Sequence, residues 1–80
     1  MKTNDYIVKE IILAVIEIKD KNLVEQLSMD NEESWDSMKQ LTIITALENE
    51  FDIFIEASEA SNLTSYDLIL DFVNNHSEID

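Results

Sequence analysis

The segment ESWDSMKQLTIITALENEFDI, residues 33–53, determines how the whole sequence is interpreted. From about Ser37 to Phe51, apolar residues recur every three or four positions, which is the spacing of one buried face of an α-helix. The residues predicted to form this face are Leu41, Ile44, Leu47 and Phe51. Ser37 stands where the helix begins, and a serine at that place is either a helix cap or a hydroxyl open to modification.

Two further amphipathic segments predict helices on either side. Paired apolar residues in YIVKEIILAVIEI recur every four positions and predict a first helix over about 4–19, capped by Asn4 or Asp5. LTSYDLILDFVNNH predicts a last helix over about 65–75, in which Thr64 is the cap and Asp67 replaces a capping-box Glu. Its inward-facing residues are predicted to be Leu68, Ile69, Phe72 and Val73.

The remaining segments connect these helices. Residues 20–36 are expected to form a long polar loop anchored by four apolar residues, Leu23, Leu27, Met29 and Trp35. Residues 56–61 fit one short helix, and FDIFIE alternates like a strand but would have no strand to pair with. The predicted fold is therefore all-α, a four-helix bundle of three main helices and one short helix in a single domain, residues 1–80. The predicted interior contains Ile11, Val15, Ile44, Leu47, Ile55 and Ile69.

The composition limits the possible functions. The chain has no Gly, Pro or Cys, which excludes disulfides, thiolate metal sites and glycine-rich phosphate loops. Its formal net charge is -13, with -5 on residues 1–36 and -8 on residues 37–80. Such a polyanion repels nucleic acid and anionic lipid and is attracted to basic protein surfaces, although the acids also serve solubility. With no signal-like start and no long apolar run, we expect a cytoplasmic monomer that binds neither nucleic acid nor membranes.

Neither catalysis nor a metal site is indicated. The one histidine, His76, lies in the polar segment NNHSEID and is interpreted as a solvated residue rather than a catalytic base. The acidic segment DNEESWD, residues 30–36, could attract a divalent cation, but it lacks the glycine and the ligand spacing of an EF-hand. A solvated acidic loop is the preferred interpretation.

On physical grounds alone, two interpretations of Ser37 remain open: a site of modification and a helix cap. A helix N-terminus offers unpaired N–H groups and a positive dipole end, which favour a phosphate group by about 0.3–1 kcal/mol. As an ordinary cap, Ser37 or Asp36 would contribute about 1 kcal/mol. The cap interpretation is the simpler one at this point.

The residues around Ser37 resemble the acyl carrier protein family. Asp36-Ser37-Met38 resembles the family's Asp-Ser-Leu at the head of its second helix, and residues 47–51 resemble the Leu-Glu-x-x-Phe run at the end of that helix. VKEII at 8–12 and LTSYDLILDFV at 63–73 resemble the first and fourth helices, so the likeness spans essentially the whole chain. The triplet alone is a weak signal, whereas triplet, helix pattern, length and acidity together are a strong one.

The resemblance implies a non-catalytic carrier. A phosphopantetheinyl transferase would attach 4′-phosphopantetheine from coenzyme A to Ser37, and the thiol of that group would hold acyl or aminoacyl intermediates as thioesters. Partners would be this transferase, an acyl- or aminoacyl-loading enzyme, and downstream transferases or synthases with basic docking surfaces. The residues expected to meet these partners are Trp35, Asp36, Met38, Lys39, Thr42 and Glu48.

Some positions depart from the family pattern. Glu33-Ser34 replaces the usual Leu-Gly, and Trp35 is expected to supply the packing of the missing Leu. Lys39, Thr42 and Asn49 occupy positions that are often acidic, and Phe54 replaces a commonly polar residue. These departures favour a specialised carrier in polysaccharide, polyketide, peptide or aminoacyl biosynthesis over a housekeeping fatty-acid carrier. The alternative from another class is an unmodified acidic helical module that only binds proteins.

Overall fold

Four α-helices and one 3₁₀ helix make up the part of the fold that the structure describes. The structure is a computed structural model that describes residues 3–18 and 20–76, except the side chain of His76, so the interpretation of that side chain lies outside the described residues. The helices are α1 (Asn4–Val15), a 3₁₀ helix (Lys21–Gln26), α2 (Ser37–Phe51), α3 (Ala57–Ala60) and α4 (Tyr66–His76). The described residues form no strand, only an isolated bridge, and the all-α prediction is confirmed.

One aliphatic core joins the helices. α1 packs against α2, α4 and the 3₁₀ helix, and it contributes the fully buried Val8 and Ile12. Of the residues predicted to be interior, Ile44, Leu47, Ile55 and Ile69 are buried, while Ile11 and Val15 are partly buried at the edge of the core. In α4, Leu68 is exposed and not inward-facing as predicted, because Tyr66, Ile69 and Val73 take the buried face.

The segment between α1 and α2 is more ordered than the predicted loop. α1 ends at Val15, four residues before the predicted end at 19, because Ile16 turns to extended backbone (φ -101°, ψ 122°) and enters the core. The 3₁₀ helix follows, and Asp20 caps it by accepting a hydrogen bond from Asn22 N at 3.0 Å. Val24 anchors this helix in the core, whereas Leu23, predicted to be an anchor, is exposed.

Two predicted caps are wrong by one or two residues. Thr3, not Asn4 or Asp5, caps α1, and its side chain accepts a hydrogen bond from Tyr6 N at 3.4 Å. At α4 the Oγ of Ser65, not of Thr64, accepts from Leu68 N at 3.2 Å. Thr64 is used differently, because its carbonyl accepts from Met29 N at 2.9 Å.

The start of α4 holds the long connection in place. Tyr66 N donates to Leu27 O at 3.0 Å, and an antiparallel bridge pairs Ser28 with Ser65. The connection that leads to α2 is thereby fixed against α4 by backbone hydrogen bonds.

No helix in the described part of the chain is both long enough and apolar enough to cross a membrane.

Candidate functional site: the N-terminal end of α2

Asp36 caps α2. Its side chain accepts a hydrogen bond from Lys39 N at 2.9 Å, and its carbonyl accepts from Gln40 N at 2.8 Å. Its extended backbone (φ -105°, ψ -172°) is the usual conformation of an N-cap residue. The capping role that sequence allowed to either Asp36 or Ser37 therefore belongs to Asp36.

Ser37 is the first residue of α2, and its side chain has no role in capping. The residue is exposed, and no other described residue hydrogen-bonds to its hydroxyl. The backbone N–H groups of Ser37 and Met38 likewise have no acceptor in the described part of the chain. The hydroxyl therefore lies beside unpaired N–H groups at the positive end of the helix dipole, where an anionic substituent is favoured.

The acidic loop before α2 is held by its own hydrogen bonds. Glu32 Oε2 accepts from Ser34 N at 3.2 Å and from Ser34 Oγ at 2.7 Å, while Glu32 O accepts from Trp35 N at 3.0 Å. Glu32 thus shapes the turn that leads into the cap. Across residues 3–18 and 20–76, no three His, Asp or Glu residues are grouped where they could hold a metal ion.

A buried polar cluster lies one helical turn below Ser37. Trp35 Nε1 donates to Gln40 Oε1 at 2.7 Å, and Gln40 Nε2 donates to Leu63 O at 2.7 Å and Ala60 O at 2.9 Å. Trp35 is 2% exposed and Gln40 is 8% exposed. The cluster joins the acidic loop, α2 and the connection between α3 and α4.

The buried face of α2 differs from the predicted one. Gln40, Ile43, Ile44 and Leu47 are buried, Phe51 is partly buried, and Leu41 is 65% exposed. The prediction of a buried Leu41 is wrong. The buried face is formed by positions 40, 43, 44 and 47, which bring the pair Ile43 and Ile44 and the side-chain amide of Gln40 to the same side of the helix. Leu41 is instead left at the surface, beside Ser37.

A surface groove borders Ser37. Its volume is about 390 Å³, and it runs between α2 and α3 with Ser37 at its edge. The lining is mostly small or aliphatic and comprises Met29, Gln40, Leu41, Ala57, Ala60, Ser61 and Thr64 together with Ser37. A group attached to the Ser37 hydroxyl has this groove directly beside it.

The residues predicted to meet partners fall into two sets. Met38, which is 77% exposed, lies next to Ser37 at the surface with Asp36, Lys39 and Thr42, and Thr42 Oγ1 donates to Met38 O at 3.1 Å. Trp35 is not at the surface, although it was predicted to meet partners. It lies in the core, where it supplies packing and a hydrogen bond rather than a contact surface.

Glu48 has a structural role at the far end of α2. Its Oε2 accepts a hydrogen bond from Ile55 N at 2.8 Å, and its carbonyl accepts from Ile53 N at 3.2 Å. Asp52 between them has a left-handed backbone (φ 55°, ψ 50°), which ends the helix. Glu48 therefore holds the following segment against α2, about three turns from Ser37.

Sequence similarity decides the family. Over 75 residues the chain is 32% identical to the acyl carrier protein of Buchnera aphidicola subsp. Acyrthosiphon pisum (strain 5A), and the match covers 94% of both proteins. The chain belongs to the acyl carrier protein family. The acyl carrier protein of Buchnera aphidicola subsp. Schizaphis graminum (strain Sg) is 31% identical over 71 residues, covering 89% of this chain and 90% of that protein. No family model matches the chain.

Membership in the acyl carrier protein family supports a carrier role in general.

Two features of the site, Gln40 and the exposed Leu41, were missed by the sequence interpretation. The signal for Gln40 was present, since it lies three and four residues before the apolar pair Ile43 and Ile44. A polar residue at this spacing from a buried apolar pair lies either at the edge of the buried helix face or within it, with its hydrogen bonds satisfied.

Proposed function

We propose that this chain carries acyl or aminoacyl groups as thioesters on a 4′-phosphopantetheine arm attached to Ser37. The proposal rests on the different roles of the two neighbouring residues Asp36 and Ser37 at the N-terminus of α2. Asp36 caps the helix, so the exposed Ser37 hydroxyl is left without a structural hydrogen bond. A serine with no structural task, in this position and in this family, is best explained as an attachment point.

The residues present fit such a group. The phosphodiester would lie beside the unpaired N–H groups of Ser37 and Met38, an arrangement that stabilises an anion by about 0.3–1 kcal/mol. The adjoining groove offers apolar contact to the pantetheine portion. When bound, the group supplies the thiol that this cysteine-free chain lacks.

The attachment step uses a transferase and coenzyme A. Ser37 Oγ attacks the phosphorus that bears the pantetheine, the pyrophosphate bond of coenzyme A breaks, and adenosine 3′,5′-bisphosphate leaves. The hydroxyl proton passes to a base of the transferase. The contribution of this chain is an accessible nucleophile at a helix N-terminus and a surface for the transferase to bind.

We further propose that partners bind over the first half of α2. Ser37 to Leu47 contains no Asp or Glu, although the chain has 18 such residues. Within this stretch Met38, Leu41 and Thr42 are exposed, and Lys39 is the one charged residue. The acids elsewhere would steer basic enzymes toward the site, while uncharged contacts would dominate beside Ser37. This pattern supports a specialised pathway rather than housekeeping fatty-acid synthesis.

The attachment is tested by intact mass. The chain is incubated with coenzyme A, Mg²⁺ and a broad-specificity phosphopantetheinyl transferase, and a gain equal to one phosphopantetheine is expected. Ser37→Ala should abolish the gain, whereas Ser58→Ala, which alters an exposed serine on α3, should keep it. If several such transferases give no gain, the chain is an unmodified interaction module. A gain that survives Ser37→Ala refutes the assignment of the site.

The docking surface is tested with charge-matched variants. Lys39→Glu is expected to strengthen binding to fatty-acid synthase enzymes, because it restores an acid at a position that faces basic surfaces. Lys21→Glu changes the net charge equally but lies at an exposed position of the 3₁₀ helix, and it should leave the affinity nearly unchanged. Equal effects of the two variants in a binding titration would show that net charge, not the α2 surface, controls docking.

A further inference from the structure

Gln40 separates the groove beside Ser37 from the hydrophobic core. Gln40 is one of the residues that line the groove, while two hydrogen-bond partners of its side chain, Trp35 and Leu63, belong to the buried core. Both ends of the amide are used, because Oε1 accepts one hydrogen bond and Nε2 donates two. The base of the groove is therefore a satisfied polar group rather than a loosely packed aliphatic one.

The same residue holds α3 against α2. None of the four residues of α3 is buried, so the helix has little apolar anchorage of its own. The hydrogen bonds from Gln40 to Ala60 O and Leu63 O fix the end of α3 and the segment that follows it. For the groove to deepen into the core, α3 would have to move away and break the hydrogen bonds from Gln40 Nε2 to Ala60 O and Leu63 O. That movement would leave the Gln40 amide and Leu63 O without these partners, which is strongly unfavourable.

We infer that Gln40 keeps the carried group at the surface, and that this chain carries short or polar acyl groups rather than long aliphatic chains. The inference rests on the proposed function, because it concerns the group attached through Ser37. A long apolar chain held outside the core would remain in contact with water, at a cost that grows with each methylene. A short acyl, hydroxyacyl or aminoacyl group avoids that cost, and the groove offers it Ser61 and Thr64 as well as aliphatic contacts.

The test compares two loaded forms of the intact protein. Acetyl- and octanoyl-phosphopantetheine are installed from the corresponding coenzyme A thioesters with the broad-specificity transferase, and thermal unfolding is followed by circular dichroism. Sheltering one methylene group would raise Tm by roughly 3–6 °C, and sheltering two would raise it about twice as much. We expect the two forms of the native sequence to unfold at the same temperature, and the fluorescence of Trp35, the sole tryptophan, to be the same in both.

A matched pair of variants identifies Gln40 as the cause. In Gln40→Ala the octanoyl form should unfold at a higher temperature than the acetyl form, because the polar base of the groove is removed. Trp35→Phe removes one hydrogen bond but leaves the bonds from Gln40 to Ala60 O and Leu63 O, so its two loaded forms should again be equal. If Gln40→Ala does not fold, the comparison in the native sequence still decides the inference.

The outcomes separate the two proposals. A clearly higher Tm for the octanoyl form of the native sequence, or a shift in its Trp35 emission, overturns the inference about Gln40 and leaves the carrier function intact. A failure of both thioesters to produce a mass gain instead refutes the proposed function and this inference with it.

Discussion

Gln40→Met is expected to destabilise the fold by about 2–4 kcal/mol, although the two side chains are similar in size. The reason is that only one member of the polar cluster is removed. Trp35, Ala60 and Leu63 keep their polar atoms, and those atoms remain directed at a side chain that can no longer bond to them.

The magnitude follows from the three hydrogen bonds. Trp35 Nε1 and Leu63 O are in buried bonds at 2.7 Å, and leaving each unpaired costs about 1–3 kcal/mol. Ala60 O contributes least, because it also accepts a hydrogen bond from Leu63 N at 3.2 Å. The apolar Met side chain offsets part of the sum at a site that is only 8% exposed. Since a domain of 80 residues has a total stability of roughly 4–12 kcal/mol, the expected loss is a large part of it.

Urea unfolding followed by far-ultraviolet circular dichroism measures this loss. Gln26→Met is the matched control, because Gln26 is an exposed glutamine whose backbone carbonyl, not its side chain, accepts from Asn31. The control should change stability by less than about 0.5 kcal/mol. A loss below about 1 kcal/mol for Gln40→Met would show that water replaces the missing hydrogen bonds and that the cluster does not hold α3. In that case the inference about the groove would lose its physical basis.

Three further predictions concern the ends of α2 and the core. Asp36→Ala should reduce stability by about 0.5–2 kcal/mol and Asp36→Asn much less, in urea unfolding, because Asn keeps the oxygen that caps α2. Asp52→Gly should raise Tm, since glycine adopts the left-handed backbone of residue 52 (φ 55°) without steric cost, and a lower Tm would contradict this. Burial raises the pKa of Tyr66, so its contribution to stability is full below the ordinary tyrosine pKa of about 10 and is lost as pH rises above it. Stability measured at increasing alkaline pH should therefore fall more steeply for the native sequence than for Tyr66→Phe.

The helices themselves were predictable because apolar periodicity is a strong local signal. The predicted second helix, about 37–51, coincides with α2, and the predicted fourth helix, about 65–75, differs from α4 by one residue at each end. The position of Ser37 at the head of α2 followed from the same pattern. The first helix was predicted too long, since Ile16 and Ile18 continue the apolar spacing although the backbone leaves the helix after Val15.

The long connection and the caps depended on interactions that sequence pattern does not show. The 3₁₀ helix is held by Val24 in the core and by backbone bonds between residues 27–29 and 64–66, which join segments far apart in the chain. Capping is decided within one residue, and the oxygens of Thr3 and Asn4, or of Thr64 and Ser65, are chemically equivalent candidates. Which of the two residues is the cap depends on where the backbone enters the helix in the folded protein.

Periodicity did not determine the rotation of α2 about its own axis, and this rotation decides which of its residues are buried. Counting apolar residues alone placed Leu41 inward and gave Gln40 no role, whereas in the structure Gln40 is buried with its partners and Leu41 is exposed. A buried amide is acceptable only where every polar atom finds a partner, so Gln40 fixes the rotation of α2 more strictly than another Leu would. This rotation puts Leu41 and Met38 at the surface beside Ser37. The residue that closes the groove toward the core therefore also exposes the apolar contacts beside Ser37, and both effects originate one helical turn from its hydroxyl.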